Sequence, residues 1–160
     1  MPMQKVNILN SREIKKLKER VERDFGYYLE EDYAFLKNEG DKVFVVSKDI
    51  ARLDLNHLII DKMGLYFAEL KEDHVRLSKE GAQLLALEAA KQGKMLRNTV
   101  LLDETEVKDY FQGKDVAKDC GRENRSVLLY YKEHVLGCAK YKEGKILNFL
   151  PKIHRGEVIL

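Results

Sequence analysis

Apolar residues recur at Ile14, Leu17, Val21 and Phe25, a spacing that lays them along one stripe of a helix. Arg12, Lys15, Lys16, Lys18, Glu19 and Arg20 fill the remaining faces. Asn10 stands just before the stripe, with Glu13 three residues on, so a reciprocal capping box is predicted. Gly26 follows as the stop. The pattern then shortens. Residues 33–36 and 43–47 read as two strands joined by a turn over 38–41. Residues 50–60 fit either a short helix or an irregular link. A third strand is predicted over 64–70, and polar residues 71–74 turn the chain into a short strand over 75–77.

Helical spacing returns after Ser78, which can cap a helix that buries Ala82, Leu85, Ala86 and Ala89. That helix runs out near Gln92 and Gly93. Beyond it, residues 99–102 read as a strand. Asp103 and Glu106 form a second capping box for a short helix that buries Val107, Tyr110 and Phe111 and ends at Gly113. Residues 115–125 read as a polar loop. Residues 126–131, 135–141 and 145–150 then form a three-stranded meander with tight turns. The period of the pattern therefore gives an α+β chain. A boundary near residue 90 divides it into 1–90 and 91–160.

Charge supports that boundary. The 160 residues carry a net charge of only +2, which excludes a general polycation. Residues 1–90 hold 15 basic and 17 acidic groups, whereas 91–160 hold 14 and 10. A polyanion would meet the C-terminal part. With 35% charged residues and few cysteines or glutamines, the composition leans toward a heat-adapted source. Neither a signal-peptide pattern nor an apolar run near membrane-spanning length is present, so the expected setting is cytoplasmic, away from membranes. Cys120 and Cys138 do not form a Cys-x-x-Cys pair, and reduced thiols with no thiolate metal site are expected. Cys138 reads as a small core residue.

Catalytic patterns are missing. His57, His74, His134 and His154 are scattered, and no nucleophile elbow, phosphate loop or dinucleotide turn occurs. The chemistry lies at the C-terminal end. Residues 140–160 carry five Lys or Arg against two Glu. Lys140 and Lys142 fall on one face of a strand, and Lys145 follows the turn at Glu143 and Gly144. Lys152, His154 and Arg155 follow the strand-stopping Pro151. Such cations can hold phosphates. Their plainer alternative is to keep a sheet edge soluble. Tyr130, Tyr131, Tyr141 and Phe149 interleave with them and can stack on bases, although alternation turns about half of them toward the core. In the loop, Lys114, Lys118, Arg122 and Arg125 are balanced by Asp115, Asp119 and Glu123, which makes that loop the weaker candidate.

Val107, Tyr110, Phe111, Gly113, Lys114 and Asp115 form a helix-turn pattern. Val135, Leu136, Gly137 and Cys138 sit in the meander. The string from Gly144 through Pro151, Lys152, His154 and Arg155 closes the set. Together these residues resemble the PUA-like RNA-binding domain, most closely the C-terminal extension of Sun-type RNA cytosine-C5 methyltransferases. Small archaeal proteins carry the same extension without the enzyme domain. Asn7, Leu9, Asn10, Arg12, Glu13, Ile14 and Lys15, then Phe25 and Gly26, Gly64, Tyr66 and Phe67, and Arg76 to Ser78, resemble in layout the pre-PUA and PUA modules of the large-subunit ribosome-biogenesis factor.

The resemblance implies an α/β sandwich-like pre-PUA module over 1–90 and a PUA-like mixed β-barrel over 91–160. It implies a non-catalytic docking unit without a cofactor. That unit would bind structured ribosomal or transfer RNA during RNA maturation or ribosome biogenesis. Lys114, Lys152, His154 and Arg155 fall on motif positions, and Lys140, Lys142 and Lys145 come from the strand pattern. No methyltransferase domain is legible, so Cys138 is not read as a nucleophile. The alternative is an adaptor that docks an RNA methyltransferase or a ribosomal protein. A nucleotide-modifying enzyme would instead require a pocket with convergent titratable groups.

Overall fold

The computed structural model describes residues 7–30, 33–38, 40–47, 65–71 and 75–148. Asn10 accepts a hydrogen bond from the Glu13 N–H at 2.9 Å, and the Glu13 carboxylate accepts from the Asn10 N–H, closing the predicted capping box. Helix α1 (Ser11–Phe25) buries Leu17, Val21 and Phe25 and ends at Gly26. Complete burial of side chains this size contributes about 1.5–3 kcal/mol each. The short strand β1 (Asn7–Ile8) precedes α1, and β2 (Tyr33–Lys37), β3 (Lys42–Ser47), β4 (Leu65–Leu70) and β5 (Val75–Leu77) follow it. All five pair in chain order into one antiparallel sheet. The ambiguous stretch 50–60 lies outside the described residues.

Ser78 caps helix α2 (Lys79–Lys91) and also fastens it to the sheet. Its hydroxyl accepts from the Gly81 N–H at 2.8 Å and lies against the Tyr66 and Phe67 carbonyls. The approach is so close that any side chain at Gly81 would force a shift, because a Cβ there would stand 1.9 Å from the Phe67 carbonyl oxygen. Ala82, Leu85 and Ala89 are buried, as the periodicity predicted, while Ala86 is half-buried.

Strand β6 (Thr99–Leu101), helix α3 (Glu104–Phe111), and strands β7 (Val116–Ala117), β8 (Arg125–Tyr131), β9 (His134–Lys142) and β10 (Lys145–Leu147) are the remaining elements among the described residues. The second sheet has the order β6-β8-β9-β10-β7, and only β6 is parallel to its neighbour. It curls as a half-barrel with α3 against one face. The predicted meander is β8, β9 and β10. The predicted polar loop contains β7, whose two residues give no usable period and are held by pairing with Lys145 and Ile146.

One core joins α1, α2 and the first sheet and takes in Leu128 from β8. A second core holds Val127 and Leu129 of β8 with Val107 and Tyr110 of α3 and Tyr141 and Ile146 of β9 and β10. The α+β class inferred from the sequence is the class observed. Among the described residues no helix is long and apolar enough to cross a membrane.

Two predictions follow the packing. Gly81→Ala should destabilise the chain by about 2–3 kcal/mol, the upper range for forced overpacking, read as a lower urea midpoint by circular dichroism. The second concerns acid. Lys37 donates to Glu13 at 2.9 Å and holds its carboxyl below the ordinary 4.5. Burial pushes Glu69 up, but Arg76, Tyr66 and Lys71 outweigh it, and that carboxyl also ends below its ordinary value. Both carboxyls therefore add stability above their unfolded values and lose it as pH falls through the lower folded ones. The Tm should drop below about pH 4.5, and Glu13→Gln with Glu69→Gln should flatten that part of the profile in thermal scans.

Candidate nucleic-acid interface

Strands β9 and β10 meet at a two-residue turn in which Glu143 and Gly144 both have positive φ, 48° and 83°. This is the turn geometry that suits a twisted hairpin. It fixes the register, with Lys145 opposite Lys142 and Leu147 opposite Lys140. Directly paired residues share a face, and so do residues two apart on a strand. Lys140, Lys142 and Lys145 therefore stand together on one face. Tyr141 and Ile146, between them, point the other way into the second core.

All three lysines are exposed, and none forms an ion pair among the described residues. Neither Glu143 nor Glu123 forms an ion pair with them among the described residues. Ser126 of β8 lies opposite Lys140, and Ala117 of β7 lies opposite Lys145, so small side chains flank the cluster.

Other predicted cations are arranged differently. Lys114 follows α3, away from the hairpin turn, and stands 3.8 Å from Asp109. Lys118 is bound to Glu106 at 2.9 Å. Arg125 opens β8; its guanidinium binds Asn98 and the Glu123 and Cys120 carbonyls and lies over the Tyr141 ring. It is a structural residue. Arg122 is what remains, exposed and without an ion pair among the described residues. Its loop is tied to the lysine hairpin, because the Glu143 N–H donates to Asn124, the Lys118 N–H donates to the Gly144 carbonyl, and the Tyr141 hydroxyl donates to the Gly121 carbonyl. The balanced charge of the loop hid Arg122 in the sequence. Lys152, His154 and Arg155 lie outside the described residues, as does Phe149.

The aromatic residues do not join the cluster. Tyr141 is buried, Tyr130 packs against the first core, and Tyr131 carries Lys132 over its ring. Cys138 is half-buried, and its thiol is pushed up to about 12 by burial, so it stays protonated. Among the described residues no cluster of three His, Cys, Asp or Glu is placed to hold a metal ion.

Residues 97–155 match the family model described as the Methyltransferase RsmF PUA domain. Over these residues the chain is similar to a PUA domain. The matched stretch resembles the C-terminal domain of Sun-type RNA methyltransferases. The matched stretch contains all seven candidate residues, from Lys114 to Arg155. The chain is also similar to Ribosomal RNA small subunit methyltransferase F from two strains of Vibrio cholerae serotype O1. Each is 28% identical over 98 residues, which is 61% of this chain and 20% of the relative. The match thus spans a fifth of the length of those relatives.

Like charges directly opposite on paired strands repel. Lys145→Glu converts the Lys142–Lys145 pair into an attractive one. It should keep the fold and leave the Tm of the chain unchanged or slightly higher in a thermal scan. A marked fall would make Lys145 a structural residue.

Proposed function

We propose that this chain binds structured RNA, ribosomal or transfer, as a non-catalytic unit in RNA maturation or ribosome biogenesis. The observation that carries the reading is the Lys140, Lys142 and Lys145 cluster, on one open face and unneutralised among the described residues. Three ammonium groups this close repel one another, and a row of phosphates relieves that repulsion. Lysine supplies point charge rather than a base-reading fork. Because the neighbouring tyrosine is turned inward, the face holds backbone phosphates instead of stacking bases. RNA in a folded, paired form presents such a surface.

The PUA-domain match and the rRNA methyltransferase relatives support the same reading. Arg122, and Lys152, His154 and Arg155 at the end of the matched stretch, extend the contact in this proposal. Residues 1–90 form the pre-PUA-like unit and 91–160 the RNA-binding unit. Chemistry on the RNA belongs to a partner enzyme, such as an RNA methyltransferase, and the setting is the cytoplasm.

The test is a filter-binding titration against a folded RNA at several salt concentrations. Binding should weaken steeply as salt rises. Replacing Lys140, Lys142 and Lys145 together by Ala should lower affinity across RNA sequences and reduce the log–log salt slope by about 2 to 3, near 0.9 per lost phosphate contact. An unchanged slope and affinity would remove the assignment.

A further inference from the structure

The second sheet has another open side among the described residues, at β6. In the parallel pair with β8, the Leu128 N–H donates to the Asn98 carbonyl and the Leu102 N–H donates to the Tyr130 carbonyl. Even-numbered residues of this stretch therefore turn their backbone groups toward β8. Thr99 and Leu101 turn their N–H and C=O groups to the opposite edge, where no strand pairs among the described residues.

Beside that edge lies a concavity of about 510 Å³ between the C-terminal half of α2 and the sheet. Leu87, Met95 and Leu101 line it and are 55%, 91% and 62% exposed. They are three of the four large apolar side chains exposed among the described residues. Their clustering marks an interaction surface, whereas scattered apolar residues would not. Lys94, ahead of β6, and Lys132, beyond the level of Leu101, put a cation toward each end of the groove. Neither makes an ion pair among the described residues, although Glu133 sits beside Lys132 on the lining.

We propose that this groove docks an extended segment of a protein partner, which adds as a strand to the free edge of β6. The occupant carries apolar side chains at alternate positions, facing Leu87, Met95 and Leu101, and a carboxylate toward each end, meeting Lys94 and Lys132. The unpaired backbone groups select a strand over a helix. The rim charge selects an acidic-ended segment. It also disfavours a second copy of this chain, since antiparallel pairing of two β6 strands would bring cation against cation. The lysine face of β9 and β10 lies two strands away, so both surfaces can be occupied together. The proposal stands independently of the RNA reading.

The probe is a fluorescent heptapeptide with glutamate at both ends, valine third, leucine fifth and threonine elsewhere. Its lysine-ended counterpart is the control. The full chain should bind the glutamate peptide at least about tenfold more tightly in fluorescence anisotropy. Binding should slow hydrogen exchange at the Thr99 and Leu101 amides. Leu101→Asp, and separately Met95→Asp, should weaken binding by about tenfold or more while leaving the far-ultraviolet circular dichroism unchanged. Equal binding of the two peptides, or binding untouched by both variants, would overturn the proposal. So would a dimer in sedimentation equilibrium that Leu101→Asp dissociates, which would assign the edge to a second copy. Slow exchange at both amides in the free monomer would show that the chain itself already covers the edge, with the same consequence.

Discussion

The fold depends on burial of β8 from both sides. Val127, Leu128 and Leu129 are consecutive, and each is fully buried. Side chains alternate along a strand, so three neighbours can all be dry only if both faces of the sheet are covered. Val127 and Leu129 face α3, while Leu128 meets the core built by α1, α2 and the first sheet. A polar residue at any of the three would open one of the cores.

This constraint determines where chemistry can occur. Both faces of the sheet are covered at these three positions, so open surface lies elsewhere on it. The β9–β10 hairpin carries its three exposed lysines on one face. At the β6 side, one edge pairs with β8 and no strand pairs with the other among the described residues. The charge and backbone valence of the two places differ, and they suit different ligands. A polyanion fits the first and an extended peptide fits the second.

The PUA match begins at residue 97, yet the structure does not break there. Arg97 donates through its backbone N–H to the Phe25 carbonyl and through its guanidinium to the Glu22 and Arg23 carbonyls at the end of α1. The Asn98 side chain donates to the Asp24 carbonyl while accepting from Arg125. The matched stretch is therefore anchored on the helix that precedes it, and residues outside the match complete the burial of Leu128.

Local chemistry determined the elements. Asn10 with Glu13, and Asp103 with Glu106, marked two helix starts because capping is decided within four residues. Ser78 marked the third. The stripe of Leu17, Val21 and Phe25 identified a buried face, and alternation identified the Lys140 and Lys142 face. The tertiary structure decided the rest. Pairing of β6 with β8 and of β7 with β10 joins residues far apart in the chain, and two- or three-residue strands have no period to read. The sequence counted Lys118, Arg125 and Arg122 alike. Glu106 and Asn98, distant in sequence, neutralised or tied down the first two and left the third exposed. A residue's charge is set by its own chemistry, but its availability depends on which neighbours folding brings within reach.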